Sequence, residues 1–198
     1  SNFAFLNKEK QYESFASACI EAEKSLQVSP ATTAILTRRA LELAVKWMYS
    51  FDEGVKLPYD DRLSALIHEQ TFRDSIDETL FPLLRYIVKL GNVAVHTNTT
   101  ITRDEAITAL RNLHEFVSFI DYCYSTEYTA TQFDEDLLLS GTESRKSKEE
   151  YQDLYEKLSA KDRKLEEIIE ENQKLRKQLT QTRIYNQEEK EYDFKVDE

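Results

Sequence analysis

The segment SPATTAILTRRALELAVKWMY, residues 29–49, carries the clearest structural signal in the chain. Ile35, Leu36, Ala40, Leu43, Ala44, Trp47 and Met48 recur at steps of three and four, the spacing that puts them on one broad face of an α-helix. Ser29 is a capping residue type, and Pro30 is tolerated in a first helical turn because the missing N–H would be unsatisfied there anyway. The pattern predicts a helix over 30–51 that ends near Asp52-Glu53-Gly54.

The same period recurs on both sides of it. Phe15, Ala16, Cys19, Ile20 and Ala22 predict a first helix over about 9–28, with Glu21, Glu23 and Lys24 turned outward. LPYDD at 57–61 reads as a turn, with Asp60 or Asp61 capping a short helix over 62–68, and a second short helix falls at 70–75. LFPLLRYIVKL predicts a helix over 78–90 with Pro82 in its first turn, interrupted at Gly91. Thr102 and Glu105 form a capping-box pattern opening a helix over 103–125, with Ala106, Leu110, Leu113, Phe116, Val117 and Ile120 inward. Only three Gly and three Pro occur in 198 residues, too few for a sheet and its turns. The fold class expected is all-α, a bundle of four or five main helices.

Composition changes after this region. Residues 127–145 read as a linker anchored by Phe133 and Leu137, Leu138 and Leu139. Residues 146–186 contain no Gly, Pro or Phe and are densely charged, predicting one long coiled-coil-like helix, with a polar frayed tail over 187–198. Placing Leu154 at a and Leu158 at d puts Lys161, Ile168, Leu175 and Thr182 at later a positions and Leu165, Asn172 and Leu179 at d. That seam allows a homodimer, a different partner helix, or a single long helix. The organisation expected is therefore a bundle over 1–126, the linker, the long helix and the tail.

The net charge is −11, of which −8 falls in residues 1–142. An acidic bundle repels phosphate, which disfavours broad nucleic-acid binding by this region. Cys19 and Cys123 are far apart, form no C-x-x-C pair, and read as two buried reduced thiols. No apolar run approaches the roughly 20 residues of a membrane span, and no signal peptide is evident, so a cytoplasmic location without membrane contact is expected.

Catalytic material is scarce in the sequence. There is no Gly-rich phosphate loop, H-E-x-x-H or nucleophile elbow, and His68, His96 and His114 are too scattered for a metal cluster. No catalytic or metal-binding residue is assigned. Asp60-Asp61 and Asp134-Glu135-Asp136 read as a cap and a solvated loop rather than a divalent-cation site. A candidate polar pocket is drawn from Arg38, Arg39, Glu42, Asn92 and His96. Asn92 and His96 share a helix face, either as a buried polar staple or as a ligand or proton-transfer pair. Arg38 and Glu42 are four apart, while Arg39 is expected nearer the core, either in an internal salt bridge with Glu23, Glu42 or Asp121 or as part of an anion-binding pocket.

Taken together, FAFL at 3–6, AEK at 22–24, SPATTAILTRRALELAVKWMY at 29–49, KLPYDDRLSALIHEQTFR at 56–73 and LGNVAVH at 90–96 resemble one family. It is the helical domain at the start of many type I restriction endonuclease R subunits, and the resemblance covers roughly residues 2–125. It implies an N-terminal piece, itself non-catalytic, that leads toward a nuclease domain and an ATP-dependent DNA translocase. The parent would use ATP and Mg and would contact DNA; this piece would need no cofactor. Its expected partners are the other domains of the R subunit and the methyltransferase and specificity subunits, with a role in docking or regulation.

The same helical domain is similar to the HEPN superfamily, whose active members cleave RNA through an R-x4–6-H motif. Gly91 stands where that motif wants Arg before His96, Lys89-x6-His96 is a loose substitute, and Arg62-x5-His68 fits only in spacing. A HEPN-type ribonuclease is thus one rival reading, and a stand-alone dimeric coiled-coil adaptor is another.

Overall fold

A computed structural model describes residues 1–97, 99–138 and 145–196 of the chain. Every regular element among them is helical, and no strand occurs. The chain divides into two compact units, Ser1–Leu158 and Ser159–Glu198.

The first unit opens with two 3₁₀ turns, Ala4–Lys8 and Lys10–Tyr12, followed by α1, Glu13–Ser25. Then come α2 (Pro30–Phe51), α3 (Leu63–Leu66), α4 (Gln70–Ser75), α5 (Leu80–His96) and α6 (Arg103–Tyr124). The final helix, α7, covers Arg145–Val196 and begins within this unit. α2 is central: it packs on α1, α5 and α6, and α5 also packs on α6.

α2 matches its sequence signature closely. The Ser29 hydroxyl accepts from the Thr32 N–H at 3.3 Å, and Pro30 occupies the first turn. Ile35, Leu36, Ala40, Ala44 and Met48 are buried. The capping box at α6 is also formed: Thr102 Oγ1 accepts from Glu105 N at 3.2 Å, and Glu105 Oε2 accepts from Thr102 N at 2.8 Å. All six residues expected inward on α6 are buried.

Four expectations need correction. α5 does not stop at Gly91 but runs on to His96, because the glycine serves a close helix crossing rather than a break. Neither Asp60 nor Asp61 caps α3; Asp60 instead accepts from the Arg62 backbone N–H at 3.1 Å and pairs with its guanidinium. Cys123 is exposed, whereas Cys19 is buried among apolar groups that push its thiol pKa up. α7 continues to Val196 where a frayed tail was expected, since no Pro or Gly follows Gly141 to end it.

The segment after α6 is closely attached to the bundle. Leu138 is buried in the core, its carbonyl accepts from Gln27 Nε2, and Phe133 packs at the core's edge. Leu137 is exposed, and Leu139 lies outside the described residues.

In the second unit, α7 exposes Leu165, Ile168, Leu175 and Leu179. The helical register exchanges the heptad letters given above. A heptad steps three residues from a to d and four from d to a, so Leu158, Leu165, Asn172 and Leu179 are a positions. Lys161, Ile168 and Leu175 are then d positions. The side chain of Leu154 lies outside the described residues.

Candidate functional site

The crossing of α2 and α5 depends on a single missing methyl group. Gly91 is buried, and a Cβ built there would lie 2.6 Å from both Cβ and Cδ of Arg38. Real Cβ atoms do not approach so closely, so the half-buried Arg38 side chain lies directly against the backbone of α5. The segments RRALELAVKW and LGNVAVH, remote in sequence, therefore meet at this point.

The charges on α2 are arranged around Glu42. Its carboxylate accepts from Lys46 Nζ at 2.7 Å and pairs with Arg39 at 3.4 Å. Burial pushes the Glu42 carboxyl up, but the Lys46 hydrogen bond and the Lys46, Arg39 and Arg38 charges outweigh it, holding the pKa below its ordinary value. Arg39, expected nearer the core, is exposed; Arg38 is the more buried of the two.

Asn92 and His96 do not form a buried staple, because His96 is exposed. Asn92 is half-buried and borders a groove between α3 and α5 of about 560 Å³. Ile67 and Val93 supply apolar walls, and His68, Arg85 and Lys89 supply the cationic or ionisable groups. Among the described residues, no acidic side chain lines it. The His68 ring nitrogen Nδ1 donates to the Ser64 carbonyl at 2.6 Å, since a carbonyl oxygen only accepts. The His68 ring meets Phe81 edge-on at 5.1 Å, and the Arg73 guanidinium lies 3.5 Å above the same Phe81 ring. The structure thus brings Asn92 to this groove, while Arg39 and Glu42 belong to the α2 ion-pair set. The second half of the Arg62-x5-His68 spacing is in the groove, but Arg62 is held by Asp60.

A second polar cluster was not legible in the sequence. Glu23, expected outward, is buried, and its Oε1 accepts from Asn2 N at 2.8 Å and Asn2 Nδ2 at 2.7 Å. Asn2 also exchanges hydrogen bonds with the Asp134 backbone at 2.7 and 3.0 Å. Buried Asp121 pairs with Lys8 at 3.1 Å, and Lys8 Nζ donates to the Glu127 carbonyl at 2.8 Å. Glu23 and Asp121, considered as partners for Arg39, are therefore committed to the N-terminal strap. His114 sits among Phe3, Phe5 and Phe133, with ring centroids 5.6–5.8 Å away. Burial lowers its pKa, against a smaller opposing effect of the Glu115 and Glu23 charges. These partners are separated by more than 100 residues in places, so no local pattern reveals them.

Among the described residues, no group of three or more His, Cys, Asp or Glu is placed to hold a metal ion. Asp134 is occupied as a backbone partner of Asn2, within the loop 132–136. No helix among the described residues is long and apolar enough to cross a membrane.

Fold and site thus define an all-α protein with a central glycine-dependent crossing and a strapped N-terminus. The chain belongs to the family described as "Domain of unknown function (DUF4145)", which matches residues 20–167. No curated protein and no solved structure matches the chain.

Proposed function

We propose that this chain is the N-terminal interaction and regulatory module of a type I restriction R subunit, built on a HEPN-like bundle. The observation that carries the reading is the Arg38–Gly91 contact. It joins two of the segments whose combination carries the resemblance, and it accounts for them as packing elements. A motif explained by packing needs no catalytic role, so the module would act through its surfaces. The parent complex would supply the nuclease, the ATP- and Mg-dependent motor and the DNA contact. The methyltransferase and specificity subunits, with the rest of the R subunit, are the partners this reading names.

The test is co-elution of the purified chain with the methyltransferase–specificity complex encoded beside it. A stable complex is expected. Absence of binding, together with a native gene that stops at the codon for Glu198, would overturn the proposal.

A HEPN-type ribonuclease is the second reading, favoured by the cationic groove that joins His68, Arg85, Lys89 and Asn92. RNA cleavage by the chain that disappears in His96→Ala or His68→Ala would establish it in place of the first.

A further inference from the structure

We propose that α7 pairs with α7 of a second copy of this chain as a parallel, in-register two-stranded coiled coil whose register is set by Asn172. This does not depend on the restriction reading and concerns only the surface of α7.

The starting observation is an apolar stripe on an otherwise charged helix. Leu165, Ile168, Leu175 and Leu179 are 54%, 46%, 50% and 61% exposed. They alternate at three- and four-residue steps and so share one side of the helix, with Asn172 in line between them. Glu166, Glu167, Glu170, Lys174 and Lys177 take the remaining faces.

Two features choose the occupant of that stripe. The first is Asn172. In a parallel, in-register pair each a residue faces its own copy, so the two Asn172 amides meet and can hydrogen-bond. In an antiparallel pair an a residue faces d residues, and a central Asn172 would meet Ile168 or Leu175. An amide buried against an aliphatic side chain loses its water without replacement, which penalises that alternative. A single Asn at an a position is a known determinant of register and two-strandedness.

The second feature is charge. In the parallel register each g residue approaches the e residue five positions later on the other copy. Glu171 then approaches Arg176, and Lys157 approaches Asp162, both pairs of opposite sign. Lys164 approaches the uncharged Ile169, and Gln178 carries no charge. Among these described positions the register produces no like-charge pair. Lys161 at d limits the tight part of the seam to Leu165–Leu179, so the association is weak and concentration-dependent.

The experiment uses the full chain. Sedimentation velocity over a concentration series is expected to show a monomer converting to a dimer. The double variant Leu165→Asp/Leu175→Asp should raise the dissociation constant at least about tenfold, since each leucine loses its buried contact. Both positions are exposed in the single chain, so Trp47 fluorescence and bundle unfolding should be unchanged. Orientation is read in a Cys123→Ser background. Leu179→Cys should form a disulfide with its own copy under mild oxidation, whereas an antiparallel pair holds the two residues 179 far apart. A chain that stays monomeric to millimolar concentration overturns the proposal. So does a trimer or tetramer, a dimer unaffected by the double variant, or cross-linking only between Lys161→Cys and Leu179→Cys chains.

Discussion

Replacing Gly91 by alanine tests the central crossing directly. In an open helix interior this substitution stabilises by about 1 kcal/mol, because alanine loses less backbone entropy on folding. Here the new methyl group would stand 2.6 Å from Arg38 Cβ and Cδ. The Cδ can swing aside, but the Cβ is fixed to the backbone of α2. Relief therefore requires α2 and α5 to separate by several tenths of an ångström. Overpacking of this kind costs about 1–3 kcal/mol, which leaves a net loss of about 1 kcal/mol after the propensity gain is subtracted. Urea unfolding followed by Trp47 fluorescence is a suitable assay, since Trp47 is the single tryptophan and packs against Tyr12, Phe15 and Tyr124. With an m-value of about 1–3 kcal/mol/M, the midpoint should fall by about 0.3–1 M. Gly54→Ala is the control, because its Cβ would meet only the movable Asp52 carboxylate, at 3.1 Å. Adding Arg38→Ala to Gly91→Ala should recover part of the loss but not all, since the Cβ remains. An unchanged or raised midpoint for Gly91→Ala would refute the crossing geometry.

Other outcomes follow from the N-terminal strap and the thiols. His114 is buried and its pKa is lowered, so the unfolded chain binds a proton there before the folded chain does. Its contribution is constant above about pH 6.5 and turns unfavourable as pH falls below that value toward the folded pKa. His114→Phe should flatten the acid limb of a stability–pH curve below about pH 6.5; an unaltered limb would count against this assignment. Asn2→Ala keeps the backbone N–H that Glu23 accepts but removes the Nδ2 donor to this buried carboxylate and both side-chain hydrogen bonds to the Asp134 backbone; it should cost about 1–3 kcal/mol in urea unfolding, whereas Asn2→Asp should be no better tolerated. Cys123 should react with a thiol reagent in the native chain and Cys19 only after unfolding, as read by mass spectrometry with and without denaturant.

Helices whose ends carry their own chemistry were legible without the structure. Ser29-Pro30 and the Thr102–Glu105 box fix two starts through contacts within four residues, and the stripes of α2 and α6 fix which faces are buried. The candidate site was less legible. Asn92 was grouped in the sequence with His96 and the arginines of α2, whereas the groove it borders is lined by α5 itself and by Ser64, Ile67 and His68. Glu23 and Asp121 occupy helix positions that read as solvent-facing or as partners for an arginine, yet residues 2 and 8 reach them. Gly91 illustrates the same limit: locally it signals a break, and only the approach of Arg38 explains a glycine inside a continuous helix.

Local patterns alone specify the all-α class, the place of the main helices and the heptad stripe of α7. Each follows from interactions within a turn or two of the same helix. Tertiary structure decided the packing of α5 on α2, the strap that covers Glu23 and Asp121, and the groove on α5. Those rest on groups that meet only when distant segments are brought together, where sterics and desolvation act between partners no local period records.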